Sequence, residues 1–341
     1  MRTDCFRYRL PLSRPLRLGT QTVHHRDGAV LRCMTADGAV GWGDVAPLPG
    51  FSRETLDEAL HQLATDAVHA ALRSGDTTAL GDVCASVQCG VAQAAADAQR
   101  DGPANDVTVP VNALLSGTPH AVLEAFEQYR ADGYTVFKLK VGRRAPANDA
   151  RLVSTLLDRM PPEGALRLDA NRAWSWDEAQ AFAAALGAET LAYVEEPLDD
   201  PTQLPALAAD WPYPIALDES TRTLAPADLS DHTYAAAIVL KPMLIGGPHR
   251  LAAWADAAAA HDQTVVLSAA YESGVGMAAL VEWSAAYATA PVGLDTYRHL
   301  QADVLATRLP LEVPHVSLRA VRRAACTVDP SRLSPYPLEV A

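Results

Sequence analysis

The chain has 341 residues, a formal charge of −13 and a hydrophobic content of 49%, enough for a large core. That charge excludes nucleic acid and anionic membrane as partners, and the pairs Arg143-Arg144 and Arg322-Arg323 read as solvated surface. MRTDCFRYRL at the start holds no signal-peptide run, and AAWADAAAA (252–260) is too short to span a bilayer.

Five cysteines without CxxC spacing predict reduced thiols in a cytoplasmic protein and no structural zinc. In chain order, DCFRYRLPL, AVLRCMTAD and AVGWGDVA predict an antiparallel meander. Helices are expected over about 53–73, starting at Ser52, and 86–100. Residues 1–105 thus form a small α+β unit.

From residue 106 to 300 the pattern alternates. Apolar runs recur at VTVPVNALL (107–115), VFKLKVG (136–142), ALRLDAN (165–171) and AYVEEP (192–197). IALDES (215–220), AIVLKP (237–242), TVVLSA (264–269) and VGLDT (292–296) continue the series. Eight strands separated by mostly helical segments predict an α/β fold, a parallel (β/α) barrel of modified TIM type, with the first unit as its cap. VNALLSGTPH lacks the glycine-rich phosphate turn of an open doubly wound sheet. The proline-rich tail, 301–341, is expected to return to the cap.

Strand side chains alternate between faces. Phe137, Leu139 and Val141 therefore share one face of their strand, and Lys138 and Lys140 the other. Leu166 and Leu168 oppose Arg167, Asp169 and Asn171; Glu195-Glu196, Asp218 and Lys241 end the next three strands. Singly, each has a structural reading: a helix cap at Asp218 or Ser220, a helix entry at Glu195-Glu196-Pro197, a solvated lysine. As a set, five successive strand ends carry Lys, Asp, Glu, Asp and Lys where barrel active sites are built. Three carboxylates suit Mg²⁺, with Mn²⁺ as an alternative, and no His or Cys cluster competes for zinc.

Such a site permits proton abstraction beside a carboxylate, with the enediolate stabilised by a Lewis acid and nearby cations. A lysine acts as base only when neutral. Two ammoniums about 7 Å apart on one strand repel by roughly 2.4 kcal/mol at an effective dielectric near 20, or about 1.7 pKa units. A metal adds to that effect and the carboxylates oppose it, so Lys138 is expected to help keep Lys140 available as the base.

KLK, LDAN, VEEP, LDES and LKP, in this order across the barrel, resemble the muconate-lactonising branch of the enolase superfamily. GWGDVAPLPGFSRET (41–55), RLDANRAW and SAAYESGVG resemble the o-succinylbenzoate synthases within it. The resemblance implies Asp169, Glu195 and Asp218 as Mg²⁺ ligands, Lys140 as base, Lys138 as its tuner and Lys241 on the opposite side of the substrate. Glu196 would point away from the metal by parity. It further implies Asn171, Ser268 and Gly293 as substrate contacts, a lid from residues 18–28 and 44–52, and a small carboxylate substrate.

Dehydration in menaquinone biosynthesis is the implied reaction, in a protein expected to be a monomer, though an oligomer stays open. N-succinylamino acid racemase, dipeptide epimerase and muconate cycloisomerase remain alternatives, as does a catalytically silent barrel, against which all five residues stand. Tyr297 occupies the position of an acidic residue in the dipeptide epimerases. A mandelate-racemase-type histidine is not in evidence, since His261 falls in a predicted helix.

Overall fold

The computed structural model describes residues 1–18, 21–100, 102 and 107–338. The expected boundary at 105/106, two residues of the expected lid (19 and 20) and the last three residues of the tail lie outside the described residues.

Strands β1 (Arg2–Leu18), β2 (Gln21–Met34) and β3 (Val40–Val45) form the antiparallel meander. Its first hairpin runs further than the hydrophobic pattern suggested, with a register shift between Pro11 and Leu16. The stretch expected as one helix is two, α1 (Leu56–Leu63) and α2 (Asp66–Ser74), broken at Ala64-Thr65. The first begins at Thr55, not Ser52, because Thr55 and Glu58 form a reciprocal capping box. Helix α3 (Ala85–Ala98) lies on the sheet so closely that a side chain at Gly43 would strike the Gly90 carbonyl. Only glycine fits there.

The barrel sheet follows β4 (Thr108–Pro110) and comprises seven parallel strands in sequence order. These are β5 (Ala113–Leu115), β6 (Val136–Lys140), β7 (Ala165–Asp169), β8 (Tyr193–Glu195), β9 (Ile215–Leu217), β10 (Ala235–Leu240) and β11 (Thr264–Leu267). Helices α4 (Pro119–Ala131), α5 (Pro146–Leu157), α6 (Trp176–Leu186) and α7 (Leu204–Asp210) separate the first five. Only 3₁₀ turns join β9 to β10. After β10 come α8 (Pro242–Ile245) and α9 (Pro248–Ala259), and after β11 comes α10 (Gly274–Tyr287).

The eighth strand is reduced to single parallel bridges, Val292 to Val111 and Gly293 to Ser268. They still close the circle: Asn112 N–H donates to the Val292 carbonyl at 2.9 Å, and Ala269 N–H to that of Gly293 at 2.8 Å. Pro291, without an N–H, and a 3₁₀ turn at Asp295–His299 leave no room for a longer ladder.

The tail runs along both parts: β12 (His315–Ser317) pairs with β4 beside the barrel, α11 (Leu318–Ala325) follows, and only β13 (Ser334–Tyr336) joins the cap, at the edge of β1. No helix among the described residues is long and apolar enough to cross a membrane. All five cysteines are free thiols.

One buried carboxylate fastens cap to barrel. Asp44 of β3 accepts from the Ser273 N–H and hydroxyl, each at 2.9 Å, at the start of α10, and from the Tyr8 hydroxyl at 2.9 Å. A carboxylate suits the partial positive charge of a helix N-terminus. Asp303 from the tail takes the next donor, Gly274 N–H, at 2.8 Å. Beside them Arg26, 2% exposed, donates to the carbonyls of Ala46, Pro47 and Tyr271, tying hairpin, loop and barrel together.

Burial raises the Asp44 pKa to about 6, against the Ser273 and Tyr8 hydrogen bonds and Arg26 that pull it down. Because this exceeds the unfolded value, the native state binds the extra proton between about pH 4 and 6. The contribution of this group to stability therefore falls as pH rises through that window and is constant above it. Denaturation at pH 7 and pH 5 should show the native protein gaining roughly 1 kcal/mol on Asp44→Asn upon acidification; parallel curves would contradict this.

Candidate active site

The barrel mouth is assembled by strand parity. Phe137 and Leu139 are fully buried on one side of β6, leaving Lys138 and Lys140 on the inner side. Register then aligns the charges: Lys140 lies beside Asp169, and Asp169 beside Glu195. Asp218 follows β9 and Lys241 follows β10, extending the row around the rim.

Each carboxylate meets an ammonium. Lys138 Nζ donates to both Glu195 oxygens at 2.7 Å and lies 2.6 Å from Asp169. Lys140 Nζ donates to Asp169 at 2.6 Å and to Asn171 Oδ1 at 2.7 Å. Lys241 Nζ is clasped by both oxygens of Asp218. Asp169 and Glu195 are 0% exposed.

Burial works against the Lys138 ammonium, but Asp169, Glu195 and Asp218 outweigh it and hold its pKa well above the usual lysine value. Burial likewise opposes the Lys241 ammonium, and Asp218 and Glu219 reverse the shift upward. Burial and the adjacent Asp169 charge push Glu195 well up. Burial also disfavours ionised Asp169 and Asp218, yet their lysines hold both below the usual carboxylate range. Lys138 is therefore not a bare charge beside Lys140. Its ammonium is compensated by two carboxylates, which weakens the simple repulsion expected from KLK.

Asn171 is placed against Lys140, with its Nδ2 donating to Glu219 at 3.0 Å. Ser268 and Gly293 are brought together at the closing bridge, where a side chain on Gly293 would meet Ser268 Oγ.

Strand parity placed two further charged groups, Arg167 and Glu196, without naming their partners, and both are buried. Arg167 donates to Asn112 Oδ1 at 3.2 Å and the Pro291 carbonyl at 2.6 Å, bracing the barrel interior below Asp169. Glu196 accepts from the backbone N–H groups of Asp218 and Ser220. The alternation of ALRLDAN held a signal for Arg167, on the same inward face as Asp169. Nothing local announced the partners of Glu196.

Among the described residues, no three His, Cys, Asp or Glu side chains are gathered closely enough to hold a metal ion as they stand. Ammoniums lie between the carboxylates instead, and Lys138 Nζ bridges Asp169 and Glu195 as a stand-in cation. A buried, oxygen-only donor set on neighbouring strand ends, already filled by positive charge, fits a hard divalent cation rather than zinc.

Comparison with known proteins agrees with this architecture. Residues 121–323 match the enolase C-terminal domain-like family, and residues 1–98 the MenC N-terminal domain. An o-succinylbenzoate synthase of Edwardsiella ictaluri is 33% identical, over 90% of this chain and 94% of that protein. The o-succinylbenzoate synthase structure from Thermosynechococcus elongatus, with Mg in its active site, matches at TM-score 0.70 and 28% identity, covering 87% of this chain and 94% of that one. The L-Ala-D/L-Glu epimerase of Bacillus subtilis shares the fold at TM-score 0.76 and 22% identity, covering 93% and 95%. With both its cap and its barrel matched, and a barrel mouth built from five charged strand ends, the chain belongs to the enolase superfamily and, within it, to the o-succinylbenzoate synthase family of lyases.

Proposed function

We propose that the protein catalyses the Mg²⁺-dependent syn dehydration of 2-succinyl-6-hydroxy-2,4-cyclohexadiene-1-carboxylate to o-succinylbenzoate, a step of menaquinone biosynthesis. The observation that carries this reading is the row of Asp169, Glu195 and Asp218 with Lys140 at one end and Lys241 at the other. Relatives named o-succinylbenzoate synthase along about 90% of the chain support the substrate.

Asp169, Glu195 and Asp218 would hold the divalent cation, Mg²⁺ first and Mn²⁺ as the alternative. When bound, it supplies positive charge where the substrate carboxylate becomes an enediolate. Lys140, released from Asp169 and neutral, takes the proton from the carbon bearing that carboxylate. It then returns a proton to the departing hydroxyl on the same face, so the C–O bond breaks, water leaves and the ring becomes aromatic. Lys241 stays an ammonium and faces the developing negative charge. Ser268 and Gly293 would meet the succinyl group, and Asn171 would hold Lys140 between turnovers. The cap hairpin and the 44–52 loop, tied by Arg26, exclude water.

Racemisation of an N-succinylamino acid is the second reading, because two lysines at opposite ends of the row could take and return a proton on opposite faces. A dipeptide substrate is less well served. Tyr297, at the position where an acidic residue would hold its amino group, is 2% exposed and donates to Asp303 within the core.

Turnover of the cyclohexadiene with Mg²⁺ should vanish with excess chelator and fall about 10²–10⁴-fold in Lys140→Ala. Full activity in chelator would contradict the reading, and deuterium uptake into N-succinylamino acids without dehydration would favour the racemase. In Lys241→Ala, kcat should drop on the order of 10²–10³-fold with little change in KM. A change confined to KM would mean that Lys241 only binds the substrate.

A further inference from the structure

We propose that Glu196 is a positioning residue that sets Asp218 for cation binding, an inference that rests on the cation reading above. Glu196 is 0% exposed and follows the Glu195 ligand directly. Its Oε1 accepts the backbone N–H of Asp218 at 3.1 Å and of Ser220 at 2.7 Å. Its Oε2 accepts Arg172 Nε at 2.9 Å, and the same guanidinium donates to Ser220 Oγ at 2.9 Å. The backbones are joined as well, Arg172 N–H donating to the Glu196 carbonyl at 2.8 Å. One carboxylate thus ties together the ends of β7, β8 and β9, the three strands that bring Asp169, Glu195 and Asp218.

Backbone geometry points the same way. Asn171, Arg172 and Glu196 all have left-handed φ, at 47°, 57° and 40°. Glycine would relieve that strain. A glutamate held at such a position gives something glycine cannot: an acceptor for two amides beside a ligand. The left-handed turn also breaks strand alternation, so the carboxylate reaches sideways to β9.

The test is Mn²⁺ titration of the full chain, read by electron paramagnetic resonance, together with thermal unfolding. Glu196→Ala should weaken Mn²⁺ binding about 10–100-fold. Glu196→Gln, whose amide oxygen can still accept both N–H groups but whose NH₂ cannot accept from Arg172, should recover part of that loss. Arg172→Met, which leaves the carboxylate in place but untethered, should weaken binding to an intermediate degree and keeps the test open if the alanine variant does not fold. Unchanged Mn²⁺ affinity in the folded variants, even with a lowered melting temperature, would overturn the proposal and leave Glu196 a purely structural residue. A native protein that takes up no Mn²⁺ would overturn the cation reading itself, and this inference with it.

Discussion

Three carboxylates buried on neighbouring strand ends cannot all stay ionised without positive charge among them. Removing such a group from water costs several kcal/mol even after relaxation, and the negative neighbours add to it. Glu195, pushed well up by burial and by Asp169, records that tension. Lys138, Lys140 and Lys241 answer it, each in contact with at least one carboxylate. On the cation reading proposed above, the same tension would make the site receptive to a divalent cation, which on the carboxylates would free lysines for proton chemistry.

The barrel supplies register and the cap supplies closure. Parallel pairing sets Lys140, Asp169 and Glu195 side by side, and strand parity sends Phe137, Leu139, Leu166 and Leu168 into the layer beneath the helices. Above the mouth, Asp44 and Asp303 occupy the first amides of α10, and Arg26 gathers three carbonyls from cap and barrel. These contacts join the hairpin and the 44–52 loop to the barrel without themselves touching the charged row.

Much of this was legible because a barrel strand packs one face on helices and turns the other inward. Two lysines in VFKLKVG then mark the inner face, and charges at five successive strand ends mark the mouth. The fold class and the cap meander followed from such patterns. Other features depend on what no short pattern contains. Asp44 meets Ser273 across 229 positions. The eighth strand shrinks to two bridges because of its neighbours Pro291 and the 3₁₀ turn, although its apolar run looked like the others. Parity turned Glu196 away from the metal row but could not name its partners, the Asp218 and Ser220 amides, because parity assumes extended backbone and its φ is +40°. The helix break at Ala64-Thr65 was hidden by an amphipathic pattern continuing on both sides.

The central claim is that the charged row is a cation site held shut by lysines. Anomalous diffraction from crystals soaked in Mn²⁺ tests it most directly. A single peak at the barrel mouth, bonded by oxygens of Asp169, Glu195 and Asp218 with Lys138 displaced from between them, is the predicted result. A peak elsewhere, or carboxylates still paired with their lysines at saturating Mn²⁺, would contradict it.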